Sequence, residues 1–367
     1  MKLNLYNKIK ISDVIANKNN NFNLIRMLAA IAVIISHSFA LSLGDRTHEP
    51  IKNLLGISLG EIAVDIFFIT SGLLVTRSLL FRNDLKVFIT SRVLRIYPAL
   101  LVSVLFCSLL GLGLSDFSLI KYIQHNELVN FVFYNSTMIF SDAQQLPGVF
   151  YNAPYSRSVN GSLWTLPWEL RMYIVLIGLG VLLTLTQKIK SLNSGLKFNL
   201  VPALIIVIAI VSTLFYINFH FSDYHHWFYV KFSRFLSVFF LGGSLYVLRK
   251  YIVISWFALM TTVSLLFISF FMSKDTLFVC YILLTPYLVL CLAYLPQGKI
   301  LNYNKLGDYS YGTYIYAWPI QQTLAVSFIA ISPYMMMVSA FFITLLLAML
   351  SWYFIEKPAM RLKRHFI

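Results

Sequence analysis

Charge is what this 367-residue chain lacks most: only 12% of its residues are Asp, Glu, Lys or Arg, and 14 acids face 29 bases. A water-soluble chain carries about a quarter charged residues, so a globule of this sequence would have too little polar surface for water, and soluble classes are excluded. Cysteine is scarce as well. Cys107, Cys280 and Cys291 lie inside apolar runs at spacings that match neither a metal site nor a disulfide framework. They read as core or lipid-facing filler, and no metal is expected. No small-residue cleavage pattern follows the first apolar stretch, which makes it a retained span rather than a signal peptide. Nor does an internal repeat relate two halves, which counts against an inverted-repeat transporter.

In place of charge the chain has 59% hydrophobic and 16% aromatic residues. A helix needs about 20 mostly apolar residues to cross the roughly 30 Å hydrocarbon core. Such stretches fall at 24–43, 60–80, 93–114, 163–186, 199–220, 228–248, 252–272, 276–294, 307–331 and 334–355. The expected fold is therefore an all-α, polytopic integral membrane protein of about ten transmembrane helices, a single domain over 1–367 with both termini cytoplasmic. The basic residues agree with this orientation. With the N-terminus inside, the inner segments hold Lys2, Lys8, Lys10, Lys18 and each later basic cluster, while the outer loops hold only Arg46, Lys52, Lys121, Arg157 and Lys274. The basic excess is thus an orientation signal, and no nucleic-acid partner is expected. Residues 1–22 form a cytoplasmic N-terminal segment and 356–367 a basic cytoplasmic tail. The long external loop, 115–161, has the length of a segment that serves function or covers a site.

Ionisable side chains cost about 2.5–3.5 kcal/mol each at the centre of a membrane helix on insertion scales, which makes them functional candidates. Here they gather in the first four spans. Arg26 and His37 lie about 16 Å apart on nearly one face of span one, with His37 roughly 9 Å below the outer surface. Span two contributes Glu61 and Asp65, one turn apart, then Ser71–Gly72, a small pair that lets helices approach. Span four enters through Ser162, Trp164, Pro167 and Glu169. Counted from the outer ends, Asp65 and Glu169 fall at the depth of His37. A carboxylate beside an imidazole orients it and raises its basicity, as a general base requires. The same three residues also suit a buried ion pair that holds helices together.

At the inner end Arg92 and Arg95 open span three on one face, level with Arg26. Three guanidiniums suit bidentate phosphate recognition, or an ordinary positive-inside flank. Lys231 and Arg234, in the outer third of span six, are placed to bind an anionic acceptor or carrier, or to pair with Asp223 or Glu169. Span nine combines Tyr311, Tyr314, Tyr316 and Trp318 with a helix-interrupting Pro319 and the pair Gln321–Gln322, a pattern that fits aromatic packing or a ligand cavity. Ser71, Trp164, Lys231, Arg234, Tyr314 and Trp318 make up the candidate substrate-binding set.

Six elements taken in order resemble the acyltransferase-3 family of integral-membrane acyltransferases. They are Arg26 and His37, Val64-Asp65 through Ser71-Gly72, the run from Arg92 through Arg95 to Pro98, Ser162 to Glu169, Tyr309 to Pro319, and Ser351 to Pro358. The resemblance implies transfer of an acetyl group from cytoplasmic acetyl-CoA to a hydroxyl of an extracytoplasmic glycan or lipid-linked glycan, most often lipopolysaccharide O-antigen, in the bacterial inner membrane. On that basis Arg26, Arg92 and Arg95 would hold the CoA phosphates. His37, oriented by Asp65 or Glu169, would deprotonate the sugar hydroxyl or carry the acetyl group transiently. The chain departs from the family pattern at Ala317, where many members have His, and at Met27. It ends about ten residues after the last span, so no external esterase-like domain is expected. Membrane lipids are partners, and an oligomer is open. The other readings of the same residues are a proton-coupled exporter, with His37 and the carboxylates as a relay, and a structural membrane subunit.

Overall fold

The computed structural model describes residues 8–17, 19–82, 84–138, 142–192, 200–223 and 226–365. Lys2, Lys18 and Lys197, which contribute to the predicted charge asymmetry, lie outside the described residues. In chain order the helices are α1 (Ile11–Val14), α2 (Phe22–Leu43), α3 (Pro50–Leu55), α4 (Leu59–Arg82), α5 (Leu85–Leu114), α6 (Leu119–Ile123), α7 (Asn126–Thr137), α8 (Leu166–Leu192), α9 (Leu200–Phe221), α10 (Trp227–Val247), α11 (Trp256–Met272), α12 (Lys274–Tyr294), α13 (Ser310–Ser327), α14 (Pro333–Ser351) and α15 (Lys357–Arg361). Strands β1 (Ile9–Lys10) and β2 (Val253–Ile254) form one short antiparallel ladder. The chain is thus an all-α, multi-pass membrane protein.

Among the described residues eight helices are long and apolar enough to cross a bilayer: α2, α4, α5, α8, α9, α10, α12 and α14. The other two predicted spans are also helical. α11 has 17 residues, and the 18 residues of α13 carry tyrosines, serine, threonine and two glutamines along an otherwise apolar segment. The expected external loop is not all loop, since α6 and α7 lie within it.

The chain divides into two compact units. The first takes the N-terminal segment up to Arg26, then Asp65–Phe88 and Arg171–Leu306. Helices α4 and α10 meet in it backbone to backbone, because a Cβ on Gly72 would overlap the Phe239 carbonyl and one on Gly242 the Ile69 carbonyl. Small residues at a helix interface permit this closeness, as the Ser71–Gly72 pair suggests from sequence. The N-terminal segment packs rather than trailing as a flank. Ile11, Ile15 and Phe22 are buried with Leu73, Tyr246, Leu290 and Tyr294, and β1 pairs with β2. Asn21 Nδ2 donates to Pro296 O at 2.8 Å, and Asn304 Nδ2 donates to Asn20 O at 2.8 Å. Serine hydroxyls cap the helices that follow, Ser255 accepting from Ala258 N and Ser273 from Thr276 N.

The second unit takes Met27–Val64, Ile89–Leu170 and the chain from Gly307 onward. Helix α4 begins in a capping box: Ser58 Oγ accepts from Glu61 N at 3.0 Å while Glu61 Oε2 accepts from Ser58 N at 2.9 Å. Glu61 is therefore an N-terminal cap. Helices α13 and α14 pack closely at Gly312, where a Cβ would stand 2.9 Å from Ala348 Cα. Residues 142–160 form an irregular segment with a buried core of Leu146, Val149 and Val159. Buried backbone must find partners, and side chains provide several. Asn135 pairs with Ala143 through both its amide atoms, and Ser158 Oγ donates to Gln144 Oε1 at 2.9 Å. Arg157, held at a positive φ of 64°, bonds Glu127 at 2.9 Å.

Candidate active site

The site is built from a missing hydrogen. Pro319 in α13 has no N–H, so the carbonyl of Ile315 one turn earlier lacks its helical donor. Asn160 supplies one, its Nδ2 lying 2.9 Å from Ile315 O, and Ser103 Oγ adds a longer bond at 3.4 Å. Asn160 Oδ1 also accepts from Ser162 N at 3.2 Å, which opens the 3-10 turn Gly161–Thr165. That turn seats Gly161 under Trp318 so closely that a Cβ would lie 2.6 Å from the indole.

Trp318 is 1% exposed and tied at its polar end, with Nε1 donating to Ser158 O at 3.0 Å. The same carbonyl accepts from Gln322 Nε2 at 2.7 Å, and Gln322 also donates to Tyr155 O at 2.7 Å. An indole fixed on three sides is a rigid wall. Against it stands His37, with ring centroids 4.6 Å apart and planes at 77°, the edge-to-face arrangement aromatic rings favour. Tyr155 packs edge-on against the other part of Trp318 at 5.5 Å, and the Arg46 guanidinium lies 5.6 Å from the Tyr155 ring centroid. His37 is half-buried. Its Nδ1 is fully buried and has no hydrogen-bond partner among the described residues. Leaving a buried polar atom unpaired costs about 1–3 kcal/mol, and a catalytic role or a bound water or ion is among the reasons a protein keeps one. An imidazole held in this way can accept the proton of a bound hydroxyl.

Among the described residues no carboxylate bonds His37 Nδ1, and the ring packs on Trp318. Asp65 belongs to the first unit, where it is 2% exposed. It accepts from Arg234 Nε at 3.0 Å and from Tyr281 OH at 2.9 Å. Arg234 is thus ion-paired to Asp65. A charge pair this deep forms because either member alone would be too costly to bury. Ser71 bonds Tyr173 OH at 3.1 Å in the same unit, Lys231 lies 5.6 Å from the Trp227 ring centroid, and Arg26 lies 5.5 Å from that of Phe67.

In the second unit Glu169 is half-buried on the first turn of α8, one turn from the half-buried Trp164 of the 3-10 turn. Tyr314 shares a 2.7 Å hydrogen bond with Thr165. Arg92 is half-buried on α5. Arg95 sits between two carboxylates, with NH2 2.5 Å from Asp308 and NH1 3.0 Å from Glu356. A π-helical turn at Trp352–Glu356 carries Glu356 to 1% exposure, where Ser351 Oγ also donates to it at 3.1 Å. Paired in this way, Arg95 has less to offer a phosphate than its sequence position suggests.

Asn160, Asp308 and Glu356 carry much of this architecture, and the sequence reading assigns none of them to the site. For Asn160 a signal existed: a proline inside a span frees a carbonyl that some donor must reach. Glu356 stands in the closing motif that the family resemblance rests on.

A family model described as an acyltransferase domain matches residues 19–355. An O-acetyl transferase of Shigella phage Sf6 is 31% identical over 351 residues, covering 93% of this chain and 96% of that protein. Nodulation protein 10 of Rhizobium leguminosarum bv. viciae is 28% identical over 381 residues, 94% of each chain. No solved structure matches. Likeness along nearly the whole length to an acyltransferase domain and to an O-acetyl transferase displaces the exporter and structural-subunit readings. The chain is a membrane-embedded acyltransferase and belongs to the acyltransferase-3 family.

Proposed function

We propose that this enzyme moves an acetyl group from cytoplasmic acetyl-CoA to a hydroxyl of an extracytoplasmic glycan, such as lipopolysaccharide O-antigen, in the bacterial inner membrane. The observation that carries the reading is His37: a half-buried imidazole, walled by Trp318, whose buried Nδ1 has no hydrogen-bond partner among the described residues. In the proposed reaction a nitrogen of His37 takes the proton of the acceptor hydroxyl as its oxygen attacks the thioester carbonyl. The C–O bond forms and the C–S bond breaks. The proton then passes to the departing CoA sulfur, which restores neutral imidazole. The acetyl-transfer class draws support from the name of the phage Sf6 relative.

Arg26 and Arg92, at the cytoplasmic ends of two spans, supply guanidinium donors suited to CoA phosphates. Glu169 keeps its place as a candidate catalytic carboxylate, and Trp164, Tyr314 and Lys231 remain assigned to the acceptor side.

Ten crossings are supported by contacts within each unit. β1 pairs with β2, and Asn20 and Asn21 bond residues beyond α12, so the segments before α2, before α11 and after α12 share one end of the first unit. If α12 crosses the bilayer, α11 must cross as well, and its 17 residues reach about 26 Å. In the second unit Asp308, just before α13, and Glu356, just after α14, both bond Arg95, so α13 pairs with α14 as an outward and a return crossing.

The test is transfer of label from radiolabelled acetyl-CoA to surface glycans in cells that express the protein. Label on a glycan supports the reading and identifies the acceptor; no label where candidate acceptors are verified contradicts it.

A further inference from the structure

His37 is flanked in sequence by two serines that project about 200° apart around the axis of α2, given about 100° per residue. Each is held from outside the helix. Ser36 Oγ donates to Glu49 Oε2 at 2.7 Å. Glu49 lies in the connection between α2 and α4, is 4% exposed, and accepts the first N–H of α4 from Leu59 at 2.6 Å. The approach is close enough that a Cβ on Gly60 would stand 2.9 Å from Ser36 Oγ. On the opposite flank Gln321, 0% exposed in α13, donates through Nε2 to Ser38 Oγ at 2.8 Å and to Ile34 O at 2.9 Å. Ser38 Oγ itself donates to Ile34 O at 2.8 Å.

A single tie would let the turn swivel about it. Two ties on opposite flanks fix the rotation of α2 about its own axis, and with it the direction in which His37 leaves the helix. Charge-assisted bonds such as the two to Glu49 are the stronger kind, and the pinned serines lie immediately before and after the imidazole.

We propose that Glu49 and Gln321 are positioning residues that act through Ser36 and Ser38 to aim His37 at the reacting hydroxyl. This rests on the reading of His37 as the base. It adds a carboxylate whose service to His37 is mechanical, through the serine before it, where the sequence suggested direct pairing with Asp65 or Glu169. Small displacements of a reacting group lower rates steeply, by about a hundredfold per ångström in some enzymes.

The test uses purified full-length enzyme in liposomes. Acetyl transfer is measured against acetyl-CoA concentration, and active enzyme is counted by binding of a radiolabelled, unreactive thioether analogue of acetyl-CoA. Per counted site, Glu49→Ala and Gln321→Ala are expected to lower kcat about tenfold or more, with the KM for acetyl-CoA within about twofold of wild type. Glu49→Gln, which keeps an acceptor for Leu59 N–H and a polar partner for Ser36, is expected to recover most of kcat. Combining Ser36→Ala with Glu49→Gln should cost no more than Ser36→Ala alone. Wild-type kcat per site in Glu49→Ala, beside an inactive His37→Ala control, overturns the proposal. Should Glu49→Ala not fold, Ser36→Ala decides: a lowered kcat upholds the proposal and a wild-type kcat overturns it. Activity retained in His37→Ala instead removes the base reading itself, so the two failures are distinguishable.

Discussion

The indole of Trp318 meets the imidazole of His37 edge to face, 4.6 Å between centroids, and its own Nε1 is tied to the Ser158 carbonyl. The wall behind the proposed base is thus held by the irregular segment that precedes α8. Trp318→Phe keeps an aromatic face but loses the tie, and it is expected to reduce acetyl transfer while leaving thermal stability nearly unchanged. Trp318→Ala removes a fully buried ring. Large-to-small core changes of this type cost about 3–5 kcal/mol, so both the unfolding temperature in detergent and the activity should fall.

Gly161 has no room for a side chain beneath that indole. Gly161→Ala forces Trp318 or the 3-10 turn to shift, and overpacking of this sort costs about 1–3 kcal/mol. The expected result is a folded, less active enzyme, read from label transfer at matched membrane levels; wild-type activity would mean that the position of Trp318 does not matter.

Asp65 and Arg234 form a buried ion pair completed by Tyr281. Removing one partner of such a pair costs about 3–5 kcal/mol, because the other is left charged in an apolar setting. Asp65→Asn and Arg234→Met should each lower the unfolding temperature strongly. The double variant should recover a large part of the loss, as coupled sites do. Additive losses would show that the pair does not hold the unit together.

Arg95 bridges Asp308 and Glu356, one positive charge between two carboxylates. Arg95→Gln removes that charge from between the two acids and should destabilise the fold more than Arg92→Gln does. If Arg95 served chiefly in donor binding, its replacement would instead raise the KM for acetyl-CoA without affecting the unfolding temperature.

Most of the architecture was legible in the apolar runs. Eight of the predicted spans recur as helices of membrane-crossing length and composition, since a run of about 20 apolar residues in a chain this poor in charge has few other outcomes. α11 and α13 were equally visible in sequence, although one is short and the other polar. What the linear pattern could not convey is pairing across the fold. Depth counting set Asp65 and Glu169 beside His37, yet depth alone does not say which helix faces which, and Asp65 bonds Arg234 and Tyr281. Glu49 was hidden for a related reason: in sequence it is one acid in a polar loop, and only the turn between α2 and α4 shows it buried against Ser36. Pro319 signals by backbone accounting that some donor must reach the Ile315 carbonyl, and only the fold shows that the donor is Asn160.

The most direct measurement of the central claim is single-turnover acetyl transfer by purified enzyme in liposomes, comparing wild type with His37→Ala and His37→Gln, each normalised to bound acetyl-CoA analogue. Both variants are expected to bind the donor as wild type does and to transfer at least about a hundredfold more slowly, in the range general-base catalysis contributes. Transfer at the wild-type rate by either variant would contradict that claim.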